Sequence, residues 1–155
     1  MNLNQQIIDV WKYLAANNVD YLTIGGFAVN IYGYGRSTGD IDIFINDTII
    51  NRENLGEALK QLGIGDFENI NTIQFVPDWT DITLNFNFRL DIMTSVKGLE
   101  NTSFTALLEM ANIIDIDGIP VYFLDYNSLI IAKKASNRPK DLLDIEELEK
   151  LNRDL

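Results

Sequence analysis

The sequence predicts a mixed α/β (α+β) domain with a central, partly antiparallel sheet flanked by helices and a C-terminal helix pair. Three patterns predict it. Apolar stripes at helical spacing are interleaved along the chain with short runs that alternate with period two. Gly25-Gly26 breaks the first of those runs with a turn from which a helix resumes. Asp117-Gly118 lies between two further runs and is a hairpin dipeptide, so its flanking strands must be antiparallel neighbours.

In chain order, Ile7, Ile8, Trp11 and Leu14 recur on one face and predict a first helix over residues 4–17. Residues 21–24 then form a short strand, and a helix follows the glycine pair over 27–32. Gly33, Gly35 and Gly39 punctuate a loop leading to the strand 40–45, where alternation is strict. Asn51-Arg52-Glu53-Asn54 opens a helix with Leu55, Ala58, Leu59 and Leu62 in one stripe, and Gly63 sits where a left-handed cap belongs. Strands are expected at 73–76 and 82–86, on either side of a Pro77-Asp78 turn, and again at 88–93. Thr102 or Ser103 caps a short helix over 104–110. After the hairpin, Asp125 with Ser128 starts a helix that runs to about residue 135. Asn137 and Pro139 interrupt it, and a last helix over 140–151 is expected to turn Leu142, Leu143, Ile145, Leu148 and Leu151 to the core.

Composition narrows the chemistry. The chain of 155 residues fits one domain with a single core. It contains neither Cys nor His, which removes disulfides, thiolate nucleophiles, imidazole bases and the usual zinc ligands. Catalysis would fall to carboxylates, hydroxyls, Lys or a bound ion, and a metal would have oxygen ligands only, as suits Mg²⁺, Mn²⁺ or Ca²⁺. A net charge of −11 argues against a polynucleotide track, which needs Lys and Arg to neutralise phosphates. No window is apolar enough for a membrane span, and the amphipathic N-terminus lacks the features of a secretion signal, so the expectation is a cytoplasmic protein without membrane association.

The densest functional signal is the stretch IGGFAVNIYGYGRSTGDIDIFI, residues 24–45. In a strand Asp40 and Asp42 project to one side while Ile41, Ile43 and Ile45 pack on the other. Two like charges about 4 Å apart repel by roughly 4 kcal/mol at an effective dielectric near 20, so a converging pair needs a cation, a shared proton or open water. In the later run Phe88, Leu90 and Ile92 share one face, leaving Arg89 and Asp91 on the other. Asp91 is thus a third candidate carboxylate, with Asp81 its competitor.

A Gly-Gly turn opening a helix, then Asp-apolar-Asp-apolar, then a later strand aspartate resembles the polymerase-beta-like nucleotidyltransferase superfamily. Together with RPKDLLDIEEL near the C-terminus, the pattern is similar to the small single-domain branch that includes abortive-infection toxin-type and antibiotic nucleotidyltransferases. The resemblance implies a nucleotidyltransferase fold that moves a nucleoside monophosphate from NTP to a hydroxyl-bearing acceptor and releases pyrophosphate. It implies two Mg²⁺ ions, or Mn²⁺, held by Asp40, Asp42 and Asp91, with Asp91 also helping to deprotonate the acceptor. Gly25 and Gly26 would offer backbone N–H groups to the triphosphate. Arg36 and the cluster Lys133, Lys134, Arg138 and Lys140 are the local cations; Lys133 or Lys140 is the candidate for the phosphates. A small molecule or a protein fits an acidic chain better as acceptor. A second reading is a non-catalytic nucleotide-binding component of a toxin–antitoxin-like pair with a protein partner.

Simpler readings stand beside these. Asp-Ile-Asp alone usually marks a solvated strand face, and the lysine cluster equally suits a helix C-terminus. Asp115-Ile116-Asp117-Gly118 reads as a turn and not a calcium loop, and Gly33, Gly35 and Gly39 as loop glycines. Tyr32 and Tyr34 suit either base stacking or the core.

Overall fold

The computed structural model describes residues 4–75, 81–83 and 88–153, with 81–83 described by backbone alone. The elements run α1 (Gln5–Ala16), β1 (Tyr21–Ile24), α2 (Gly25–Ile31), β2 (Asp40–Ile45), α3 (Ile49–Gln61), β3 (Asp81–Thr83), β4 (Arg89–Met93), α4 (Phe104–Glu109), β5 (Asn112–Ile116), β6 (Ile119–Phe123), α5 (Tyr126–Ser136) and α6 (Pro139–Arg153). They build the expected mixed architecture around one six-stranded sheet of order β3-β4-β2-β1-β6-β5. β1–β2, β3–β4 and β5–β6 are antiparallel, whereas β2–β4 and β1–β6 are parallel. Among the described residues no helix is long and apolar enough to cross a membrane.

β1 lies inside the sheet, and all four of its residues are buried. The buried Thr23 is satisfied there: Trp11 Nε1 donates to Thr23 Oγ1 at 3.1 Å. Trp11 also meets Phe27 edge-on at 5.6 Å and Phe123 at 6.1 Å, so α1, α2 and β6 share one aromatic contact. Helix α1 is capped by Asn4, whose side chain accepts from Gln6 N, and it buries Ile7, Ile8, Val10, Trp11 and Leu14. In β2, Ile41, Ile43 and Ile45 are fully buried while Asp40 and Asp42 are only partly so. The period-two pattern thus sets which face carries charge.

Other expectations are corrected. Helix α2 starts at Gly25, two residues before the expected start. Helix α3 starts at Ile49, because Thr48 accepts from Asn51 N and supplies the cap. Asn51 and Arg52, read as a polar helix opening, are buried. Asn51 exchanges hydrogen bonds with the backbone of Asp20, and Arg52 donates to Asp47 Oδ1 and to the carbonyls of Ile70 and Ile73. The strand expected at 73–76 is absent over 73–75, and Val76 lies outside the described residues. Of the strand expected at 82–86, Asp81–Thr83 is present and 84–86 lie outside them.

The largest correction concerns α6. Ile145 and Leu148 are buried as expected, but Leu142, Leu143 and Leu151 are 51%, 47% and 39% exposed, and the helix buries Asp141 and Asp144 beside the two that hold. The helix is turned about its axis because the two aspartates meet the buried Lys133 and the more exposed Arg36 and Arg138. The chain is held there by ion pairs as well as by apolar burial.

Candidate active site

The parallel register of β2 with β4 assembles the acidic face. It sets Asp42 opposite Asp91 and Asp40 opposite Arg89. All four side chains therefore rise from one face. The Asp42 carboxyl is pushed up to about 7 by burial first, then by the charge and hydrogen bond of Asp91 and the charge of Asp40, against the pull of Lys140. Sharing a proton is one way for a converging pair to persist. Asp40 is compensated differently: Arg89 Nε donates to its Oδ1 at 3.2 Å and Nη2 to its Oδ2 at 3.0 Å. Arg89 Nη2 also stands 3.8 Å from Asp91 Oδ2. Among the described residues no three acidic side chains form a ready-made cation cluster. Arg89, noted in the sequence only as the strand-face neighbour of Asp91, engages Asp40.

The glycine turn is fitted to this face. A Cβ on Gly25 would meet Asp42 Oδ2 at 2.1 Å, and Gly25 has φ +67°, a conformation that L side chains rarely adopt. A Cβ on Gly26 would meet Thr38 Oγ1 at 2.6 Å. The pair is therefore required by close packing whatever it binds.

Opposite the strands, the α5–α6 junction carries a buried charge network. Lys133 Nζ lies 2.9 Å from Asp144 Oδ2 and 3.4 Å from Asp141 Oδ1. Arg36 donates from Nε and Nη2 to the two oxygens of Asp144 at 2.7 and 3.0 Å. Arg138 reaches Asp141 Oδ2 from its backbone N at 3.1 Å and from Nε at 2.7 Å. Burial would raise the Asp141 pKa, but the Arg138 hydrogen bonds and the charges of Lys133 and Arg138 outweigh it and hold the carboxyl below its ordinary value. Nothing in the sequence around Asp141 and Asp144 signals burial, since acidic residues ordinarily favour the surface.

Asp40, Asp42, Asp91, Gly25, Gly26, Arg36, Lys133 and Lys140 all line one cavity of about 670 Å³, with Arg89, Ser37, Thr38 and Lys97. Arg36 and Lys133 reach that wall while already engaged by aspartates; Lys140 is near enough to act on Asp42. Tyr32 and Tyr34 do not line the cavity and pack against the core. The Tyr32 hydroxyl donates to the Leu124 carbonyl at 2.6 Å. Asp81 pairs with Asp91 through the backbone, and its side chain lies outside the described residues. The donor set is suited to a hard cation, because Asp42 and Asp91, opposite each other in register, offer oxygens only.

Comparison with solved structures gives a consistent fold. The chain is similar to the lincosamide antibiotic adenylyltransferase LnuA in its lincomycin-bound form, at 12% identity and TM-score 0.60, covering 96% of this chain and 98% of that one. It is similar to ANT(2")-Ia in complex with adenylyl-2"-tobramycin, at 17% identity and TM-score 0.58, covering 95% and 92%. An antigenic nucleotidyltransferase-like protein from Paracoccidioides brasiliensis matches at 15% identity and TM-score 0.56, over 94% of this chain and 74% of that one. At these identities the likeness concerns the fold. A comparison with curated proteins found no significant match. A family model described as nucleotidyltransferase of unknown function, DUF6036, matches residues 1–153, and the chain, with its strand-borne aspartates beside a Gly-Gly turn, belongs to that nucleotidyltransferase family.

Proposed function

We propose that the chain transfers a nucleoside monophosphate from a nucleoside triphosphate to a hydroxyl group of a small-molecule acceptor, using divalent cations held by Asp42, Asp91 and Asp40. The observation that carries this reading is the strand register that sets Asp42 opposite Asp91 in the wall of a cavity that also receives the Gly25-Gly26 turn. Bound divalent cations, Mg²⁺ or Mn²⁺, would neutralise charge on the attacking and leaving oxygens. Asp42 and Asp91 would be the principal ligands, joined by Asp40. Asp91 also accepts the acceptor's proton. The new bond joins the acceptor oxygen to the α-phosphorus, the bond from that phosphorus to the β-phosphate bridging oxygen breaks, and pyrophosphate departs.

The remaining residues bind and orient. Gly25 and Gly26, having no side chains, let phosphates come close to the backbone. Lys140 supplies positive charge to them, whereas Lys133 and Arg36 fix the far wall through Asp141 and Asp144. The small-molecule acceptor is favoured by the net charge of −11, which disfavours a polynucleotide. The two structural neighbours bound to lincomycin and to adenylyl-2"-tobramycin point the same way.

The test is transfer from α-labelled NTPs with Mg²⁺ or Mn²⁺ across a panel of hydroxyl-bearing acceptors. Asp42→Ala should lower the rate by at least about a hundredfold. Transfer that persists undiminished in that variant would refute the assignment. Metal-dependent nucleotide binding without turnover on any acceptor would favour the non-catalytic binding component.

A further inference from the structure

We propose that Arg89 is a built-in counter-cation of the acidic face, which occupies Asp40 when divalent cations are scarce and opposes their binding there. The inference rests on the metal-dependent reading above and adds a residue that competes with the metal.

The geometry is specific. Arg89 uses two donors, Nε and Nη2, on both oxygens of Asp40, at 3.2 and 3.0 Å. The same Nη2 stands 3.8 Å from Asp91 Oδ2. The guanidinium therefore binds the first carboxylate and stands close to the third. Each carboxylate oxygen keeps a second lone pair, but a cation bound to Asp40 would stand against the like charge of the guanidinium already there.

The pair is also exchangeable. The side chains of Arg89 and Asp40 are 47% and 33% exposed, so water screens their attraction and offers both partners alternatives. The nearby Arg36–Asp144 pair has similar donors, yet its carboxylate is only 1% exposed. One arginine is thus a permanent structural tie and the other a contact that a divalent cation can displace. The register of β2 with β4, which sets Arg89 beside Asp40, makes this competition a property of the sheet.

The experiment is Mn²⁺ binding without nucleotide, by calorimetry and by Mn²⁺ electron paramagnetic resonance, on the wild type, Arg89→Gln, Arg89→Lys and Lys97→Gln. Lys97 lines the same cavity, but it is Arg89 that clasps Asp40, so the Lys97 variant removes one charge without freeing that carboxylate. Arg89→Gln should bind Mn²⁺ roughly three- to tenfold more tightly. Arg89→Lys, which keeps the charge but loses the fork, should fall between it and the wild type. An equal gain in Lys97→Gln would reduce the effect to general electrostatics and overturn the proposal, as would unchanged or weaker binding in Arg89→Gln. If neither the wild type nor the folded Arg89→Gln protein binds Mn²⁺, the metal-dependent reading fails too. If the wild type binds and Arg89→Gln binds no tighter, only the role of Arg89 falls.

Discussion

At the scale of single residues, Gly25 is the position where backbone conformation and site geometry meet. Its φ of +67° and the 2.1 Å separation that a Cβ there would have from Asp42 Oδ2 leave alanine no easy accommodation. Gly25→Ala should cost roughly 1–3 kcal/mol in urea denaturation and displace the Asp42 carboxylate. Gly35→Ala, where a Cβ meets nothing within 4 Å, is the matched control and should be close to neutral. Asp144 is the second decisive residue, because it answers two cations while 1% exposed. Asp144→Ala leaves Arg36 and Lys133 without that partner and should cost about 3–5 kcal/mol. Lys133→Met should cost less, since Arg36 and Arg138 still serve the two aspartates. Equal losses in denaturation would contradict this division.

At the scale of elements, α6 reverses a simple expectation. Its leucines divide between solvent and core, with Leu142 51% exposed and Leu148 1% exposed. Leu148→Ala should therefore cost about 2–5 kcal/mol and Leu142→Ser less than about 0.5 kcal/mol by thermal or urea unfolding. The opposite order would mean that the helix is turned the other way. β2 behaves as expected, and the contrast is physical. A strand interior to the sheet has two faces with fixed alternation, whereas a helix on the surface can trade an apolar stripe for buried ion pairs when its partners supply the charge.

At the scale of the whole molecule, an acidic chain depends on the few cations placed inside it. Lys133, Arg36 and Arg138 join α5, α6 and the loop before β2 through Asp141 and Asp144. The folded-state pKa of Asp141 lies below its ordinary 3.8, so the stability it contributes is present above pH 3.8 and lost as pH falls through the folded value. Asp141→Asn should thus lower stability at neutral pH and flatten its loss below about pH 3.8. Urea midpoints at pH 2.5 to 7 would check it, and an unchanged acid limb would exclude Asp141 as its source.

By itself the sequence determined the chemistry that was possible and the local geometry of half the site. Zero Cys and zero His left oxygen donors, strand alternation set Asp40 and Asp42 on one side of β2, and the hairpin at Asp117-Gly118 appears with positive φ at both residues. These are local properties, governed by side-chain chemistry and by dihedral angles within a few residues. Only the tertiary structure decided that Asp91 stands opposite Asp42 and that Arg89 clasps Asp40 from 49 positions away. Only it turned Asp141 and Asp144 inward. Strand register and helix rotation are set by packing and by charge compensation between distant segments, and no spacing within one segment encodes them.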